Sequence, residues 1–282
     1  MAQKKRMKTM SEWPLMAFTL LFQGAVGYWL MMLLCETPAC RAGQRSLLTF
    51  PALFAVLFAG ALGLAASTLH LGYPLNAFHA LRHLSSSWLS REIVMAGLFL
   101  ALAALCTLLA LRKGRIPPAL LWLVALAGLV DIGCMGAIYR YSSVATWMHV
   151  TTWVMFYGAA AVLGAAILLL RLDYRGECPV SVQRGLTLLI ITTLLVRLLF
   201  QPLYQSFLSS AEVTVTFPLP ALEVYSHLWP LRLLAWSLSA AGALLLIISL
   251  MRPRSALWLR AGAVLLIVAE VLLRQLFFIV EL

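Results

Sequence analysis

An all-α membrane protein, a bundle of eight transmembrane helices, is the fold class this sequence predicts, and two observations carry it. Of 282 residues, 63% are hydrophobic and 11% charged, with a mean hydropathy of +0.95, which leaves too little polar surface to cover a soluble globule. Eight apolar stretches are each long enough to cross hydrocarbon about 30 Å thick as a helix of roughly 20 residues. Lipid cannot satisfy unpaired backbone groups, so these spans must be helices, and the period-2 alternation of a membrane barrel is missing.

Taken in order, the spans run from Trp13 to Leu34, Thr49 to Leu69, Ile93 to Leu111, Pro118 to Tyr139, Trp147 to Leu170, Leu186 to Tyr204, Trp229 to Leu250 and Leu257 to Val280. Together they make one polytopic domain over residues 1–282. Residues 1–11 form a basic arm carrying Lys4, Lys5, Arg6 and Lys8. The apolar run behind it is longer than a signal-peptide core and lacks a small-residue cleavage site, so it reads as a retained first helix. The loops after spans 1, 3, 5 and 7 hold Arg41, Arg45, Arg112, Lys113, Arg115, Arg171, Arg175, Arg184, Arg252, Arg254 and Arg260, against Arg82, Arg91 and Arg140 in the others. By the positive-inside bias the odd loops are cytoplasmic and both termini periplasmic. The basic arm argues the other way. The surplus of positive charge is thus read as topology in a lipid bilayer, with no nucleic acid as partner.

The cysteines do not build a metal site. Cys106 and Cys134 lie inside spans and Cys178 stands alone, while Cys35 and Cys40 are only two thiols and read as unrelated. Ionisable groups inside spans are costly and so point to pairing or function. Glu270 and Arg274, four apart on span 8, read as a structural ion pair, and Asp131 is expected to meet Arg197 or Arg232. Ala61 with Ala65 and Ala160 with Gly164 carry small-xxx-small spacing that permits close helix approach. Among five histidines, His70, His79 and His83 fall in one loop and His149 and His227 at span edges. With none in mid-span, a haem held between histidine pairs is not expected.

The loop between spans 2 and 3 concentrates the remaining chemistry. His70 stands at one membrane boundary and Glu92 at the other end of the loop. An imidazole and a carboxylate beside hydrocarbon can take up two protons, which is what a quinol releases on losing two electrons. The structural alternatives are a histidine capping a helix end and a carboxylate complementing the dipole of the next helix.

Four blocks resemble the integral membrane anchor subunit of bacterial dimethyl sulfoxide reductases. They are Glu12-Trp13-Pro14-Leu15, Leu69-His70-Leu71-Gly72-x-Pro74-x-x-Ala77-Phe78, Ser87-Trp88-Leu89-Ser90-Arg91-Glu92-Ile93 and Ala269-Glu270-x-x-x-Arg274-x-Leu276-Phe277. The resemblance implies eight helices with both ends outside a bacterial inner membrane, and a role in anaerobic respiration. It also implies oxidation of menaquinol and delivery of electrons to an iron-sulfur subunit and on to a molybdopterin catalytic subunit. The family's functional histidine falls on His70 and its functional glutamate on Glu92. Gly72, Pro74, Arg82, Trp88 and Arg91 would then shape the headgroup pocket or dock a partner. His79, His83 and the basic arm are less typical of that family. The rival readings are a purely structural anchor and a small-solute transporter. A transporter should show repeat-related halves with helices broken by Gly or Pro at mid-depth, and no such repeat is visible.

Overall fold

The computed structural model describes residues 13–41, 46–69, 83–113, 115–211, 220–252 and 256–279, apart from the side chains of residues 37–41 and 113. The basic arm, together with His70, Gly72, Pro74, His79, Arg82 and the Cys40 side chain, lies outside the described residues. The architecture is all-helical: α1 (Trp13–Arg41), α2 (Phe50–Thr68), α3 (Trp88–Lys113), α4 (Pro118–Arg140), α5 (Thr151–Tyr174), α6 (Val180–Ser210), a short α7 (Ala221–His227), α8 (Trp229–Met251) and α9 (Ala256–Ile279). All but α7 are long and apolar enough to cross a membrane, eight in number. The chain is a multi-pass membrane protein.

Helix starts follow local chemistry. Proline occupies the first turn of α2, α4 and α8, where its missing N–H costs nothing. At α3, Ser87 opens the helix: its hydroxyl accepts from the Ser90 N–H at 3.4 Å and its carbonyl from the Arg91 N–H at 3.3 Å. The helix therefore begins at Trp88 rather than at Ile93, and Glu92 sits inside it. Span 5 begins later than its apolar sequence, because residues Ala145–Trp147 form a 3-10 turn before α5. α6 is longer than the 186–204 stretch and runs through Pro202 without ending.

Neighbour relations divide the bundle into two four-helix units. In the first, α1 packs on α2, α2 on α3, α3 on α4, and α4 closes on α1. In the second, α5 packs on α6, α6 on α8, α8 on α9, and α9 closes on α5. The main seam is α1 against α5, flanked by α4 against α5 and α9 against α1. Gly27 and Gly164 make that seam possible, since a Cβ on Gly27 would strike the Ala160 carbonyl and one on Gly164 the Gly27 backbone. The Ala160 and Gly164 spacing is thus a helix contact. Ala61 and Ala65, by contrast, face outward, and Gly60 and Gly63 take the buried side of α2.

The core of the first unit is aromatic: Phe22 packs on Phe18 and on Phe99, and the fully buried Trp29 donates from Nε1 to the Leu121 carbonyl at 3.1 Å. α2, α3, α6 and α8 turn large apolar side chains outward, among them Phe58, Leu105, Leu199 and Leu244. On a membrane-spanning bundle these are the lipid-facing surface.

Candidate functional site

Because the spans alternate in direction, the heads of α3, α5 and α8 lie on one face of the bundle, together with the ends of α4, α6 and α9. Glu92 stands one turn into α3 and is 7% exposed. Across the helix pair, Asp131 on α4 is fully buried, and neither of its carboxylate oxygens has a hydrogen-bond partner among the described residues. The two carboxylates lie within electrostatic range of each other, and Cys134 lies within range of both. A lipid-side groove on the same helix pair is lined by Trp88, Cys134, Trp153 and Tyr157, while neither carboxylate is among its lining residues. Its far wall is fixed from the seam, where Trp153 donates to the Gly133 carbonyl at 3.0 Å and Tyr157 to the Leu129 carbonyl at 3.0 Å.

Arg91 and Trp88 hold the head of α3. The Arg91 guanidinium lies 4.2 Å from the Trp88 ring centroid and donates to the Leu84 and Ser85 carbonyls at 2.9 and 2.7 Å. Trp88 stacks on Tyr141 at the end of α4, with centroids 5.9 Å apart. Both side chains brace the end of the loop that carries His70, and Trp88 also lines the groove.

The expected partners of the intramembrane charges require correction. Glu270 does not pair with Arg274: Arg197 of α6 takes both of its carboxylate oxygens, Nη1 at 2.5 Å and Nη2 at 3.1 Å. That pair is buried, with side chains 1% and 2% exposed. Arg197 reaches α9 past α5 because Gly158 has no side chain there, and a Cβ on it would collide with the guanidinium. Arg274 instead donates to Gln23 of α1 at 2.5 Å and lies over Phe156, 4.1 Å from its centroid. Asp131 accordingly meets neither proposed arginine, since Arg232 sits over the Tyr225 ring at 3.6 Å.

At the junction of the two units, His149 packs on Phe207 and Tyr204. Its Nδ1 lies 2.6 Å from the Thr151 hydroxyl and accepts from the Thr151 N–H at 3.3 Å. Burial, and secondly the charge of Arg140, hold this imidazole below its ordinary pKa. On the opposite face, burial above all pushes the Cys178 thiol up to about 12. Among the described residues no group of three His, Cys, Asp or Glu side chains comes together as a metal site.

Residues 7–280 match the family described as DMSO reductase anchor subunit (DmsC). The chain belongs to that family. It is 34% identical over 161 residues to the C chain of the anaerobic dimethyl sulfoxide reductase of Haemophilus influenzae, covering 56% of this protein and 57% of that one. It is 34% identical over 165 residues to YnfH, an anaerobic dimethyl sulfoxide reductase chain of Escherichia coli K12, with 56% and 57% covered. With the anaerobic dimethyl sulfoxide reductase C chain from the same strain it shares 31% over 151 residues, with 52% of each covered. The protein thus spans little more than half the length of these curated relatives. Asp131 as a neighbour of Glu92 is what residue-level reading missed. Its signal was an acid deep in a span with no base four residues away on the same helix.

Proposed function

We propose that this protein is the membrane anchor of a bacterial dimethyl sulfoxide reductase-type complex and that it oxidises menaquinol at the head of α3. The observation that carries the reading is Glu92, buried one turn into α3 within electrostatic range of the buried Asp131, on a helix pair whose Trp88 and Cys134 line a lipid-side groove. Family membership supplies the chemistry to be expected there. Menaquinol enters the groove from the bilayer between α3, α4 and α5. His70 accepts a hydrogen bond and then a proton from one quinol hydroxyl, and Glu92 accepts the second or passes it outward. Loss of two protons and two electrons leaves menaquinone. The electrons pass to an iron-sulfur subunit and then to a molybdopterin catalytic subunit that meets the terminal acceptor. The site faces the periplasm, as do both termini, so the step moves no net charge across the inner membrane. The spans are continuous in mid-membrane, with Pro202 near the end of α6, which is not how the broken helices of a transporter are built.

The test is oxidation of a menaquinol analogue by membranes holding the assembled complex, with immunoblots for assembly. His70→Ala should abolish quinol-dependent reduction of the partner's clusters while the complex still assembles. Glu92→Gln should slow turnover more than it weakens a quinone-site inhibitor. Near wild-type rates in assembled His70→Ala complexes would leave only the structural-anchor reading.

A further inference from the structure

The second four-helix unit repeats the frame of the first site at its own head. α3 opens with Trp88-Leu89-Ser90-Arg91 and α8 with Trp229-Pro230-Leu231-Arg232. In both, the arginine turns back onto the segment before its helix. Arg91 lies over Trp88 and donates to two loop carbonyls, while Arg232 lies over Tyr225 of α7 and donates to the Tyr225 carbonyl at 3.4 Å. Leu233 follows where Glu92 stands in the first unit.

Beside Arg232 opens a partly enclosed cleft between α5, α6, α8 and α9. Its walls include Trp147, Tyr204, Trp236 and Phe277, with Trp147 stacked on Phe277 at 5.4 Å. Two polar atoms on its lining residues are buried and without a partner among the described residues, the Thr146 hydroxyl and Arg232 Nε. Thr146 is 3% exposed. Of the other donors on the lining, Tyr225 is committed to Gln201 at 2.7 Å and Tyr204 to the Thr146 carbonyl at 2.7 Å. A ligand that completes this cleft therefore brings hydrogen-bond acceptors on a flat, apolar body. The Tyr225 ring covers the guanidinium face and its carbonyl holds Nη1 at 3.4 Å, and the mostly aromatic walls favour a flat, apolar body over a free phosphate. Among the described residues the lining holds no carboxylate.

We propose that this cleft is a second quinone site, one that holds the ring by Thr146 and Arg232 without accepting its protons. The ligand class rests on the quinol reading of the first site. The occupant is a membrane naphthoquinone in transit or in reserve, and the asymmetry of the units separates holding from oxidation.

An azido-substituted 2-methyl-1,4-naphthoquinone applied to the intact complex in membranes, followed by peptide mapping, tests this. Labelling is expected on peptides spanning residues 144–155 or 228–240 as well as on the head of α3. Thr146→Val, which removes one hydroxyl at constant shape, should weaken the second labelling by about tenfold and leave menaquinol-analogue turnover unchanged. Arg232→Leu should weaken it further. Glu92→Gln and His70→Ala should leave it intact, so failure of the first site is read separately. Absence of label from the second unit in the wild type would overturn the proposal, as would label indifferent to Thr146→Val. Displacement of the probe by anionic phospholipid but not by unlabelled methylnaphthoquinone would overturn it in favour of a lipid headgroup site.

Discussion

The two four-helix units share their neighbour pattern and treat their buried acids in opposite ways. In the second unit Glu270 on α9 is neutralised by a forked arginine, Arg197, with both side chains out of water. In the first unit Asp131 occupies the corresponding helix, α4, and its carboxylate has no hydrogen-bond partner among the described residues. The nearby ionisable group is a second acid, Glu92. The bundle uses an acid for cohesion where it supplies a base, and elsewhere leaves one buried without an ion-pair partner among the described residues. The difference teaches that an intramembrane carboxylate is not a functional signal by itself; its partner decides.

The largest expected effect sharpens that contrast. Arg197→Leu strands Glu270 in the core and should destabilise the protein by about 3–5 kcal/mol, as loss of one member of a buried pair does. The anchor should then accumulate poorly in membranes. Replacing both with Arg197→Leu and Glu270→Leu removes the stranded charge and should restore most of the thermal midpoint of the detergent-purified complex. A double variant no better than the single would mean that the arginine matters mainly through Met155, whose carbonyl it also holds at 2.7 Å.

The seam between the units comes next. Gly27→Ala places a methyl against the Ala160 carbonyl and should cost about 1–3 kcal/mol by overpacking, whereas Gly97→Ala on α3 meets nothing within 4 Å and should be nearly neutral. Equal thermal midpoints for the two variants would show that the units are not held through close approach of α1 and α5.

These features differ in how visible they were in the sequence. All eight spans were legible, because each is a long, predominantly apolar run and the backbone has no alternative in lipid. The head of α3 was not: Ser-Arg-Glu lowers hydropathy, yet Ser87 starts a helix there and carries Glu92 inside the span. Charge pairing was not legible either. Glu270 and Arg274 have the right spacing on one helix, but Arg197 wins Glu270 through a gap that Gly158 leaves in α5, a fact of tertiary order. The repeated Trp-x-x-Arg was present without being legible, since four residues stand out only once the two units are seen to correspond. His70 rests on the family resemblance, as it lies outside the described residues.

A smaller effect is expected at Asp131. Asp131→Asn keeps volume and breaks no ion pair, so stability should change by less than about 1 kcal/mol, while the pH profile of menaquinol-analogue oxidation should shift if Asp131 shares the proton load of Glu92. A collapse of assembly like that of Arg197→Leu would break the comparison and show that Asp131 has a structural partner after all.

The smallest effect lies at the junction and is read from pH. His149 belongs to the connection between the units, with Arg140 of the first and Tyr204 and Phe207 of the second around it. Folding holds its pKa below the ordinary value near 6.5, so the neutral ring is the form the native structure favours. The unfolded chain therefore takes up this proton before the folded one as pH falls. The stabilisation is complete above about 6.5 and declines as the pH drops through that value. Thermal midpoints of the purified complex between pH 7.5 and 5 should fall more steeply for the wild type than for His149→Gln, which cannot titrate. Parallel curves would mean that protonation of His149 is absorbed without strain, and that the two units meet more loosely at this face than at the glycine seam.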